Sequence, residues 1–234
     1  MNSTEITGVL DFLRAAERLK STTRTGYTSS GQQESVAEHT WRLCLMAMVL
    51  APAFPDVDFA KLVKICIIHD LGEALHGDVS APEQARRAAA GLAAGKSDEE
   101  RRDLLELLGP LPPPLRDEIT SLWDEYEAAQ SPEAKLAKGL DKLETIMQHN
   151  QGLNPPDFDY RFNVGYGRKH TADIPLIAQV REILDRETEA RAVDAETKAP
   201  ERRPSGGRTF GNRRGVAHPR RGCGRVRLSR AAVP

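Results

Sequence analysis

The sequence predicts an all-α bundle. Strand-like alternation is nearly absent along its 234 residues, helix caps recur, and apolar residues return at spacings of three and four. Hydrophobic residues at 39% and charged residues at 29% supply one ordinary globular core, predicted over residues 1–198.

Ser35-Val36-Ala37-Glu38 reads as a capping box with Ser35 at the N-cap, so His39 falls in a first helical turn. Trp41, Leu43, Leu45, Met46, Met48, Val49 and Leu50 are expected to carry that helix into the core. Asp58-Phe59-Ala60-Lys61 opens a second helix, apolar nearly all round through Leu62, Val63, Ile65, Ile67 and Ile68, as a central buried helix would be. Gly77 is expected to end it. Residues 81–108 are rich in Ala, Arg and Glu, with a break at Gly95-Lys96 and a new cap at Ser97 followed by Glu100. Gly109 to Pro114 forms a stiff connector. Ser131-Pro132 starts a further helix, proline being tolerated in its first turn, with Leu136, Leu140, Leu143 and Met147 as its apolar stripe and Asp141 at the edge. Asn154 to Lys169 reads as a long aromatic-rich loop, and Ile174 to Val193 as a last amphipathic helix.

Residues 199–234 differ in kind. From residue 200 onward ten arginines face one acid, Glu201, so this stretch carries +9 and the remainder −1 − 9 = −10. Such a basic, Gly- and Pro-punctuated tail is expected to be disordered. Contact with nucleic acid is one reading of its charge, and an extension without function is the plainer one. Arg42 and Lys64 interrupt the apolar runs short of the ~18 residues of a membrane span. Met1 to Glu5 lacks a basic region followed by an apolar one, so no secretory signal is expected, and Cys44, Cys66 and Cys223 are few and scattered, which suits reduced thiols in a cytoplasmic protein.

The chemistry concentrates in His69-Asp70-Leu71-Gly72-Glu73, with His39 upstream and Asp141 downstream. Ionic groups inside an apolar helix cost several kcal/mol to desolvate unless compensated, and a divalent cation compensates them well. A set of imidazoles and carboxylates without cysteine argues against a structural zinc site, and four ligands leave open positions for chemistry. Glu73, four residues after His69 and three after Asp70, shares their helix face, and Asp78 lies just beyond. Any one of these residues alone would read as a hydrogen-bonded core histidine or a solvated aspartate.

The extended pattern is more specific: Glu38-His39, His69-Asp70-Leu71-Gly72-Glu73, Gly77-Asp78 and Leu140-Asp141-Lys142-Leu143-Glu144 resemble the HD-domain metal-dependent phosphohydrolases. Arg24-Thr25-Gly26-Tyr27 before Glu34 to His39, together with Leu122 to Glu127, resembles the 5′-deoxynucleotidase branch, and the likeness runs over about residues 6 to 190. The resemblance implies a helical bundle that dimerises and removes phosphate from deoxyribonucleoside 5′-monophosphates with Mn²⁺, Co²⁺ or Mg²⁺. It implies that His39, His69, Asp70 and Asp141 hold the first cation. It also implies that Glu73 and Asp78 are acid/base or positioning carboxylates, with Glu73, Asp78 and the Val79 carbonyl as a second cation site. Substrate contacts would come from Arg24 at the phosphate, Thr25, Asp70 and Asp78. Where the bacterial enzymes place a ribonucleotide-rejecting tryptophan after that arginine, this chain has Thr25, so sugar discrimination stays open. The roles of Glu73 and Asp78 stay open too. His76 matches no ligand position, and His149, His170 and His218 carry no spacing that argues for a role. The alternatives are an HD phosphohydrolase acting on another nucleotide or phosphomonoester, and a non-catalytic nucleotide-binding module.

Overall fold

A computed structural model describes residues 1–80, 83, 86, 89–91 and 96–198. The basic tail at 199–234, including His218 and Cys223, and Gly95 of the expected break lie outside the described residues.

Helix α1 (Ser3–Ala16) is closed at its start by a capping box between Asn2 and Glu5, and a short 3-10 turn (Glu17–Lys20) follows. Strand β1 (Thr23–Tyr27) pairs antiparallel with β2 (Gln33–Ser35), Thr23 opposite Ser35 and Tyr27 opposite Gln33. This hairpin departs from the predicted all-helical pattern. Ser35 both ends β2 and caps α2 (Val36–Leu50), where the predicted box forms with Glu38. The hairpin thereby fixes where α2 starts.

Asp58 caps α3 (Phe59–Ile68) as predicted, but the helix stops at Ile68 instead of continuing to Gly77. In an unbroken helix the Glu73 amide would donate to the His69 carbonyl; it donates instead to the Asp70 carbonyl at 3.1 Å. The indole Nε1 of Trp123 takes the freed His69 carbonyl at 3.1 Å. The chain therefore turns through His69 to Gly72 before the short helix α4 (Glu73–His76). A Cβ on Gly72 would lie 2.9 Å from the Glu100 carbonyl oxygen, so only glycine lets this turn approach α5 (Lys96–Leu107).

Ser97 does not cap α5; its hydroxyl donates to Glu127 at 3.1 Å on α6 (Pro113–Ala128). The predicted Ser131-Pro132 start holds, with the Ser131 hydroxyl accepting from the Ala134 amide, and α7 (Pro132–Gln151) follows. The expected loop after it contains two short helices, α8 (Tyr160–Gly165) and α9 (Arg168–Thr171), before α10 (Pro175–Lys198). Buried Arg181 ties the two short helices down, donating to the carbonyls of Tyr166, Asn163 and Val164 at 2.7 to 3.0 Å.

The core is organised around α7, not around α3. Leu136, Ala137, Leu140, Leu143 and Ile146 meet Leu43 and Ala47 of α2, Leu62 and Ile65 of α3, and Ile177 and Leu184 of α10. A second apolar cluster joins Leu19, Val36, Ile68, Leu104, Leu108 and Trp123. The α2 apolar residues do not all enter the core: Leu43 and Ala47, one turn apart, point inward, while Trp41 (66% exposed), Met48 and Val49 lie on the opposite side. Phe59 and Ile67 likewise leave α3 partly exposed. Among the described residues no helix is long and apolar enough to cross a membrane.

Candidate metal centre

Four remote positions converge. His39 enters from the first turn of α2, His69 and Asp70 from the break after α3, and Asp141 from the middle of α7. His39 Nε2 lies 3.3 Å from Asp141 Oδ1 and 3.9 Å from Asp70 Oδ2. His69 Nε2 lies 3.0 Å from Asp70 Oδ2 and 4.0 Å from Asp141 Oδ1. Both imidazole Nε2 atoms are buried and lack any hydrogen-bond partner. Two orphaned ring nitrogens aimed at two carboxylate oxygens fit a divalent cation, since unpaired buried polar atoms are costly to leave unmade.

The surrounding side chains leave one polar atom each of His39, His69 and Asp141 for a cation. Cys66 presents its carbonyl to His69 Nδ1 at 2.8 Å, and Glu144 pairs with His39 Nδ1, so each ring donates from Nδ1 and turns Nε2 inward. Tyr126 and Lys142 donate to Asp141 Oδ2 at 2.8 and 2.7 Å, which leaves Oδ1 for the cation. Glu144 is itself held by Arg42, whose Nε donates at 2.6 Å. Glu34, His39 and Glu144 also cluster closely enough for an ion. There, however, Arg24 and Arg42 already stand 3.7 and 3.8 Å from Glu34, so guanidinium groups supply the positive charge. Replacing Glu144 by Gln is expected to weaken cation affinity ~10- to 100-fold with the fold intact, measured by titration calorimetry.

Arg24, Thr25, Asp70, Glu73, Asp78 and Asp141 border one cavity of about 490 Å³. Arg24 donates to Asp70 Oδ2 at 3.1 Å through Nη1 and to the Thr145 hydroxyl at 3.1 Å through Nη2. Val79 borders a neighbouring cavity that shares Glu73, so Glu73 stands between the two, with Asp78 on the first side and Val79 on the second. Glu73 Oε2 is buried without a hydrogen-bond partner. Burial, with Asp70 and Asp78 adding repulsion, pushes the Glu73 carboxyl up to about 10. Asp70 is held well below the usual range: burial opposes this, but His69, Arg24 and His39 outweigh it. His76 pairs instead with Asp103 at 2.9 Å, outside the first cavity.

Burial and Arg24 disfavour a proton on His39, but Glu144 and Asp141 outweigh them and raise it to about 9. A cation requires the neutral ring, so below about pH 9 it must displace that proton. Affinity is therefore expected to rise with pH towards 9 and then level off, with about one proton released per cation at neutral pH in calorimetry across buffers of different ionisation enthalpy.

Sequence reasoning gave no role to the outer partners Arg42, Trp123 and Tyr126, whose contacts are made to other elements, nor to Lys142, which bonds its neighbour Asp141. Glu144 carried a signal, standing three residues after Asp141 in the quoted motif. Of the basic residues in the stretch after α7, Arg161 pairs with Glu196 and Arg168 with Asp185, while Lys169 borders the cavity.

A family model described as the HD domain matches residues 16–181. The 5′-deoxynucleotidase HDDC2 of Danio rerio is 35% identical over 145 residues, which is 61% of this chain and 68% of that protein. The human protein of the same name is 33% identical over 145 residues, 61% of this chain and 67% of that one. A solved structure described as a predicted metal-dependent phosphohydrolase, from Magnetospirillum magnetotacticum, has a TM-score of 0.63 at 24% identity, covering 85% of this chain and 100% of that one; this is a likeness of fold. With the matched segment spanning the hairpin, the broken helix and the central α7, the chain belongs to the HD-domain family, on the branch of the 5′-deoxynucleotidases.

Proposed function

We propose that the protein is a divalent-metal-dependent 5′-deoxynucleotidase that releases phosphate from deoxyribonucleoside 5′-monophosphates, with His39, His69, Asp70 and Asp141 holding the cation. The observation that carries the reading is the pair of orphaned Nε2 atoms facing Asp70 and Asp141, two carboxylates that border one cavity with Arg24. The relatives named 5′-deoxynucleotidase support it. When bound, the cation supplies a Lewis acid that screens phosphoryl charge and acidifies water.

The protein's own groups do the rest. Arg24 is fixed by Asp70 and Thr145 and presents a planar fork to the non-bridging oxygens of a phosphate dianion. Glu73 holds a proton: burial beside Asp70 and Asp78 keeps its carboxyl neutral, so it can give that proton to the departing 5′-oxygen while the attacking water loses its own to solvent. Asp78 positions that water, and the Glu73–Asp78–Val79 side is where a second ion would sit.

Thr25 lines the cavity where the bacterial enzymes carry tryptophan, which favours a second reading with weaker discrimination against ribonucleotides. Phosphate release from a panel of deoxy- and ribonucleoside 5′-monophosphates with Mn²⁺, Co²⁺ or Mg²⁺ tests both readings. Turnover of the deoxy series is expected, and inertness towards every monophosphate would overturn the proposal.

Homodimer formation finds support in the exposed α2 face, where Trp41, Leu45, Met48 and Val49 recur at helical spacing. Trp41→Glu combined with Val49→Lys is expected to halve the mass seen by light scattering; an unchanged mass would remove α2 from the interface. Residence in the cytoplasm accords with free Cys44 and Cys66. Residues 1–198 are proposed to be sufficient for catalysis, the basic tail adding at most a nucleic-acid contact.

A further inference from the structure

Helix α7 acts as a ruler along the cavity. Asp141, Thr145 and His149 recur every four residues on one face, and each step advances ~6 Å along the helix axis. Asp141 belongs to the proposed cation set, Thr145 accepts from the Arg24 phosphate clamp at 3.1 Å, and His149 lies one turn further on, bordering the same cavity. In a nucleoside 5′-monophosphate the sugar and base come after the phosphate, as His149 comes after the clamp.

The imidazole of His149 is held in place. Its Nδ1 is hydrogen-bonded to Asn163 Oδ1 at 3.0 Å, and Phe158 packs edge-on against the ring with centroids 4.9 Å apart. Strand β1 closes over it at Gly26, where an added Cβ would sit 3.0 Å from Cδ2 and 3.4 Å from Nε2. With Nδ1 engaged, Nε2 is the remaining polar atom. Burial lowers this histidine to about 4, so the ring is neutral at physiological pH. A neutral ring does not compete with Arg24 for the phosphate dianion, yet it can hydrogen-bond a hydroxyl or a base edge.

We propose that His149 is a specificity-determining residue that reads the nucleoside end of the substrate through Nε2. The inference rests on the nucleotidase reading above and deepens it. Other phosphomonoesters fit the cation and Arg24 equally well; His149 makes the enzyme prefer those bearing a nucleoside.

Steady-state kinetics of wild type, His149→Phe and His149→Gln, on a deoxyribonucleoside 5′-monophosphate and on p-nitrophenyl phosphate, test this. Phe keeps the ring's bulk without a hydrogen bond, and Gln restores a polar atom at similar reach. For the nucleotide, His149→Phe should raise KM about tenfold with kcat little changed, as expected for the loss of one hydrogen bond. His149→Gln should recover part of that loss, and p-nitrophenyl phosphate should be hydrolysed equally by all three. An unchanged nucleotide KM in His149→Phe would overturn the proposal, as would equal losses on both substrates or the unfolding of both variants, which would assign His149 to packing. A wild type active on p-nitrophenyl phosphate but inert on nucleotides would instead refute the nucleotidase reading, and this inference with it.

Discussion

Asp70→Ala is expected to abolish cation binding and phosphate release together. Asp70 Oδ2 stands 3.0 Å from His69 Nε2 and 3.1 Å from Arg24 Nη1, so one carboxylate would serve both the proposed cation site and the proposed phosphate clamp. Removing it leaves two imidazoles facing Asp141 alone and frees Arg24 to swing towards Glu34, 3.7 Å away. The loss should exceed the ~10- to 100-fold typical of outer-shell partners, reaching at least ~10³-fold in activity. Calorimetric titration with Mn²⁺ and a phosphate-release assay on the same preparation check this. Asp70→Asn separates the two roles, because an amide still accepts from Arg24 but no longer supplies the anionic ligand.

Glu73→Gln is expected to lower kcat by ~10²- to 10⁴-fold while the first cation remains bound. Glutamine fits the same space but cannot exchange a proton. The substitution carries a second, opposite signature. A buried carboxyl pushed up to about 10 disfavours the folded state between its unfolded value, near 4.5, and about 10, because the unfolded chain ionises there and the folded one does not. Glu73→Gln should therefore raise the melting temperature of the metal-free enzyme, and the gain should grow as pH rises from 5 to 9. Loss of turnover with greater stability would mark a group strained for function; loss of both turnover and cation would place Glu73 among the first ligands instead.

Much of this was legible in the sequence, for local reasons. Ser35 with Glu38, Asp58, and Ser131 with Pro132 announce helix starts through bonds spanning three residues, and all three starts form. The proposed ligand quartet stood out because its two histidines and two aspartates lie in or beside apolar helical runs, and the structure brings the four side chains close together.

What was not legible depends on distant partners. The hairpin is short and polar, and it is held by Gln148 and Asn154, which bond to the Tyr27 backbone from the end of α7 and just beyond it. The break after Ile68 follows from Trp123 capturing the His69 carbonyl from 54 residues away. The apolar count of α2 concealed that Trp41, Met48 and Val49 face outward, because periodicity identifies faces but not which neighbour covers them. His149 stands eight residues after Asp141, a spacing that marks a shared helix face once Asp141 is known to point into the cavity.

The most direct test is a crystal structure of the Mn²⁺-loaded enzyme with anomalous scattering at the manganese edge. The account predicts one strong peak within about 2.0–2.3 Å of His39 Nε2, His69 Nε2 and a carboxylate oxygen each of Asp70 and Asp141. A peak among Glu34, His39 Nδ1 and Glu144, or one that Asp141 does not touch, would contradict it.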